Sequence, residues 1–124
     1  MKKRVLSVGQ CVPDQTAITR MLTRHFDVEV LTADKGDDAL AALRRGPIDL
    51  VLVNRKLDCD YSDGLEIIRQ IKADAELKAT PCMLVSNYAE HQDAAVAAGA
   101  EHGFGKAEME KAETQKRLKL ALEV

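Results

Sequence analysis

The feature that most constrains this chain is a fivefold alternation of short apolar runs with longer amphipathic ones. Arg4-Val5-Leu6-Ser7-Val8 is rich in β-branched residues and closed by Gly9, which reads as a strand. Pro13-Asp14 opens a helical stretch with Ile18, Met21, Leu22 and Phe26 at three- and four-residue spacings. Residues 27–33 alternate with period two, as a half-buried or edge strand should. Residues 34–45 place Ala39, Leu40 and Leu43 on one helical face and stop at Gly46-Pro47. Ile48, then Leu50-Val51-Leu52-Val53, is nearly continuously apolar, which suits a central parallel strand covered by helices on both faces. A polar loop over 54–63 leads into a helix with Leu65, Ile68 and Ile71 inward. Pro81 to Val85 reads as a fourth strand, and alanine-rich Ala89 to Ala98 as a helix ended by Gly99. A weak fifth strand fits around Gly103-Phe104-Gly105, and Glu108 to Leu122 is a last helix carrying Met109, Ala112, Leu118, Ala121 and Leu122.

Strand-helix alternation of this kind predicts a parallel sheet sandwiched between two helical layers, with right-handed crossovers. A length of 124 residues without repeat, low-complexity tract or linker predicts one domain over 1–124. Eighteen basic against twenty acidic side chains argue against a strongly basic nucleic-acid surface, so no nucleic-acid partner is expected. No apolar run approaches the ~18 residues needed to cross a membrane, so no membrane association is expected. The basic start is followed by only Val5 to Val8 before Gly9-Gln10, too short for a signal-peptide core. Three widely spaced cysteines (Cys11, Cys59, Cys82) fit a reducing cytoplasm better than a disulfide framework. A cytoplasmic location is the expectation.

In an open α/β sheet the ligand crevice lies at the carboxyl ends of the strands. The residues placed there are Gly9-Gln10-Cys11, Asn54 and its loop, Ser86-Asn87 and Lys106. The five-unit order, Leu50 to Asn54 followed by Asp63-Gly64-Leu65, Pro81 to Ser86, and Ala98-Gly99-Ala100 ending at Lys106 together resemble the receiver domain of two-component response regulators. The resemblance covers essentially the whole chain. It implies a (βα)5 flavodoxin-like, doubly wound α/β/α sandwich with strand order 2-1-3-4-5.

In that family an acidic pair after the first strand holds Mg²⁺, an aspartate ending the third strand accepts a phosphoryl group, and a Ser or Thr and a Lys contact it. Carried over position by position, the acidic pair is Gly9-Gln10 and the acceptor is Asn54, while Ser86 and Lys106 keep the hydroxyl and the ammonium. A carboxamide is neutral and a poor nucleophile, and Mg²⁺ wants carboxylates, so neither acyl phosphate nor metal is expected, and no cofactor. The crevice is expected to hold no charge except the Lys106 ammonium, with Asn54 free to bridge Ser86 and Lys106. The family's switch aromatic is Gly103 and its proline after the lysine is Ala107.

The implied role is a degenerate receiver, not an enzyme, acting in phosphorelay signalling by contact with a histidine kinase, another regulator or a second copy of itself. The surface of the fourth and fifth helices, with Ala94 to Ala98, Lys116 and Arg117, is the expected contact face. Two alternatives stand beside it. One is phosphorylation on a displaced loop aspartate (Asp58, Asp60 or Asp63); the other is a small-anion sensor using the neutralised crevice. Cys11 and Cys59 follow strands that are neighbours in such a sheet, where a redox-switchable disulfide is conceivable, although two unrelated thiols are the default.

Overall fold

A computed structural model describes residues 2–124. Five strands, β1 (Lys3–Val8), β2 (Val28–Ala33), β3 (Leu50–Asn54), β4 (Cys82–Val85) and β5 (Glu101–Phe104), pair in parallel in the order β2-β1-β3-β4-β5. Helices α1 (Val12–His25), α2 (Gly36–Arg45), α3 (Gly64–Ala73), α4 (Ala89–Ala97) and α5 (Ala112–Leu122) connect and follow them. The expected flavodoxin-like sandwich and its strand order are therefore what the chain forms.

Period-two alternation along each strand sorts the core into two layers. Leu6, Val8, Val51, Val53 and Leu84 pack against Ala39, Leu43, Ile68, Ile71 and Ala95, on the side of α2, α3 and α4. Val5, Leu50, Leu52, Met83 and Val85 face Ile18, Met21, Leu22, Leu118 and Leu122, on the side of α1 and α5. This two-sided cover explains why β3 is apolar at every position from Leu50 to Val53, each fully buried. Burying each such side chain contributes roughly 1.5–3 kcal/mol.

Two boundaries differ from the sequence reading. β5 begins at Glu101, two residues before the expected Gly103, because edge pairing with β4 requires no apolar side chain at exposed Glu101 and His102. The last helix begins at Ala112; a single 3-10 turn (Lys106–Glu108) precedes it, and Lys111 sits in extended backbone at φ −72°, ψ 145°.

The β4–β5 ladder is irregular where it approaches the crevice. Met83 pairs with Glu101 and Val85 with Phe104, so three steps along β5 match two along β4. The buried carboxamide of Gln92, on α4, fills this bulge. Its Nε2 donates to Leu84 O (2.9 Å) and Ser86 O (3.1 Å), and its Oε1 accepts from Gly103 N–H (2.8 Å).

Candidate functional site

The carboxyl ends of β1, β3, β4 and β5 bring Gly9, Gln10, Asn54, Ser86 and Lys106 to one end of the sheet. Gly9 adopts φ +75°, the left-handed region that favours glycine. A Cβ there would lie 2.3 Å from Leu57 Cδ2 and 3.1 Å from Leu57 Cα. The long loop after β3 thus folds over Gly9 and takes the space a side chain would need. Both polar atoms of the Gln10 carboxamide are buried without a protein partner.

Asn54 does not bridge Ser86 and Lys106, contrary to the expectation from sequence. Its Nδ2 donates to Gly9 O at 3.1 Å, and the same carbonyl accepts from Asp58 N–H at 2.9 Å. One backbone oxygen therefore ties the end of β1 to the end of β3 and to the following loop. Ser86 Oγ is hydrogen-bonded to His91 Nδ1 at 2.8 Å and accepts from Tyr88 N–H at 3.3 Å.

Lys106 overturns a second expectation. Its Nζ lies 2.5 Å from Asp14 Oδ2, so the crevice holds a carboxylate beside the ammonium. Asp14 sits in the first turn of α1, where the helix dipole favours an anion. The Lys106 ammonium holds the Asp14 carboxyl below the usual carboxylate range; burial opposes this, and the Cys11 thiol, donating at 3.0 Å, adds to it. Sequence reading used Asp14 only as a helix start, because its partner is remote in the chain.

Gly103 lies buried in the β5 bulge. A Cβ added there would approach Leu84 O to 2.2 Å and Gln92 Oε1 to 3.2 Å, so backbone and carboxamide leave no room for a ring at this position. Sequence reading missed Gln92 altogether. Its spacing of three from buried Ala95 put it on the inward face of α4, the signal that could have found it.

Two of the three loop aspartates are engaged in local structure. Asp63 caps α3 by accepting from Leu65 N–H at 2.9 Å, and pairs with Arg55 at 3.3 Å. Asp60 Oδ1 accepts from Ser62 Oγ and N–H, which holds its carboxyl below the usual range although it is fully exposed. Asp58 is exposed. The three cysteines are free: Cys11 turns to Asp14, while Cys59 Sγ contacts Asp34 O at 3.4 Å.

A cavity of about 570 Å³ opens beside Asn54, Ser86 and Lys106, continuing past Arg55 and Lys56 to Tyr88 and His91 on α4. Its walls come from the loops after β3, β4 and β5, where an open α/β sheet places its crevice.

Comparison with known proteins agrees with this architecture. The chain is 30% identical over 90 residues to Protein PilH of Pseudomonas aeruginosa, covering 73% of this chain and 72% of that protein. The receiver domain of NtrX from Brucella abortus superposes with a TM-score of 0.73 at 27% identity, over 97% of this chain and 98% of that one. A response regulator structure from Chloroflexus aurantiacus shares the fold at a TM-score of 0.86 and 20% identity, over the whole of both chains. The sequence pattern of the response regulator receiver domain matches residues 11–122. Because that match runs through four of the five strands and all five helices, the chain belongs to the response regulator receiver domain family.

Proposed function

We propose that this receiver domain acts in two-component signalling by protein–protein contact, without carrying a phosphoryl group at Asn54. The observation that carries the reading is that each group placed to handle a phosphoryl group has an internal partner. Asn54 holds Gly9 O, Ser86 holds His91, and Lys106 holds Asp14. An amide oxygen at 54 is a weak nucleophile.

The donors present do not fit the divalent cation that phosphoryl transfer uses. Gly9 brings no side chain, Gln10 and Asn54 bring neutral amides, and the Asp14 carboxylate is paired with Lys106. A hard cation gains too little from such a set to give up its hydration shell. The Gln92 clamp supports the same conclusion from the other side of the site. A relay through a mobile ring at position 103 is replaced by three fixed hydrogen bonds across β4 and β5.

The contact face we assign lies on α4, β5 and α5, where Val96, Leu120 and Lys116 are exposed. A histidine kinase, another regulator or a second copy of this chain would meet it there. Arg117 is less suited to probing that face, since its guanidinium donates to Gly103 O at 3.2 Å and braces the bulge. Charge reversal at Lys116 is the cleaner probe.

Mass measurement after incubation with acetyl phosphate and Mg²⁺ tests the reading. The wild-type protein and Asn54→Asp are both expected to gain no phosphate, because the substitution restores a nucleophile without a metal site. A stable, Mg²⁺-dependent gain of one phosphate on Asn54→Asp, or on Asp58, Asp60 or Asp63 of the wild type, would overturn it.

A further inference from the structure

The cavity beside α4 has a composition that protein–protein contact does not call for. None of its nine lining residues is acidic, while Arg55, Lys56 and Lys106 are cationic, and Ser86 and His91 offer hydrogen-bonding groups. Arg55 and Lys106 are each paired with a carboxylate outside the lining, Asp63 and Asp14. Lys56 makes no ion pair among the described residues, although Asp63 is its backbone bridge partner, so its ammonium is the cation of this lining that is not committed to a carboxylate. Tyr88 lines the same cavity and is 62% exposed, so its ring is open to a ligand. The His91 ring meets that of Tyr88 edge-on, with centroids 5.3 Å apart and planes at 75°, so His91 does not stack face to face on it. The volume of about 570 Å³ lies within the range of small-molecule sites.

We propose that this cavity binds a small phosphomonoester bearing a planar aromatic ring, a ligand of mononucleotide size, with its phosphate toward Lys56 and its ring against Tyr88. The Lys56 ammonium, in a lining that contains no carboxylate, favours an anionic group over a neutral one. An exposed aromatic face in the same lining adds stacking that is independent of which ring the ligand carries. The ligand lies along Lys56, Tyr88 and His91, displaced from Asn54, and no bond is made or broken. Reversible binding here is distinguishable from phosphate acceptance at Asn54, since it forms no covalent bond and depends on the Tyr88 ring in the same cavity.

The test is an NMR titration of isotope-labelled protein with adenosine 5′-monophosphate, adenosine and inorganic phosphate separately. The monophosphate is expected to give saturable shifts confined to residues 54–56, 85–91 and 106, and to bind about tenfold or more tightly than either fragment. Lys56→Ala is expected to weaken it about tenfold, the loss of one charge-assisted contact. Tyr88→Ala should weaken the monophosphate by a similar factor while leaving inorganic phosphate unchanged. Neither side chain is buried, so both variants should melt as the wild type does, and Lys116→Ala should bind normally. Absence of saturable monophosphate binding at millimolar concentration would overturn the proposal. So would equal affinity for monophosphate and inorganic phosphate, or shifts centred outside this cavity.

Discussion

Replacing Gln92 by Leu is a sharp test of how the β4–β5 bulge is held. The two side chains are similar in volume, so the change removes hydrogen bonds with little loss of packing. Three are removed, to Leu84 O, Ser86 O and Gly103 N–H, in a side chain only 3% exposed. Each is worth about 1 kcal/mol net, and a buried backbone group left without a partner costs about 1–3 kcal/mol. The expected loss is therefore about 3 kcal/mol, a large share of the 5–15 kcal/mol typical of a domain. In urea followed by circular dichroism, with a slope of about 1.5 kcal/mol per molar, the midpoint should fall by about 2 M with no change in slope. Thermal melting should drop by roughly 10 °C. Gln92→Glu sharpens the result, because a protonated carboxyl keeps one donor whereas a buried carboxylate keeps none. Burial raises that carboxyl above its unfolded value of about 4.3, so the variant should be most stable below that pH and weaken as pH rises through the folded value. A loss under about 1 kcal/mol for Gln92→Leu at unchanged slope would refute the reasoning, showing that the bulge holds without the carboxamide.

Other expectations follow from the same geometry. Gly103→Tyr should destabilise by more than about 2 kcal/mol in the same urea experiment, since its Cβ would stand 2.2 Å from Leu84 O and the ring would displace Gln92. Gly9→Asp should be similarly costly, at φ +75° with Leu57 Cδ2 2.3 Å from its Cβ; wild-type stability in either variant would show that these backbones relax freely. The Asp14–Lys106 pair is a third case. Asp14 is depressed in the folded state, so its contribution is present above the unfolded value of about 3.9 and lost as pH falls through the folded one. Both side chains are about a third exposed, so the stability gap between wild type and Asp14→Asn should be no more than about 1 kcal/mol near neutrality. A gap that persisted at low pH would mean that the introduced amide disturbs packing and not the ion pair.

The sequence alone determined the layers of this fold and the residue types at the carboxyl ends of its strands. Unbroken apolarity from Leu50 to Val53 demands cover on both faces, and β-branched runs alternating with amphipathic ones leave a parallel sheet as the consistent answer. The absence of carboxylates at 9, 10 and 54 is a matter of residue type and needs no coordinates. Exposed Glu101 and His102 concealed the start of β5, because an edge strand is defined by backbone pairing, which side-chain polarity does not report.

Tertiary structure decided which partner each site residue takes. Asp14 lies 92 residues from Lys106, yet the parallel sheet brings the first turn of α1 and the segment after β5 to the same end, where the two side chains meet and put a carboxylate where the sequence showed only an ammonium. Asn54 meets Gly9 O because β1 and β3 are neighbours and Leu57 closes over a left-handed turn. Gln92 meets Gly103 because β5 takes an extra step against β4 and leaves backbone groups for a carboxamide to satisfy. Residue type fixes the charge and donors a position can offer. Strand order and one bulge, properties of the assembled backbone, fix what those donors find.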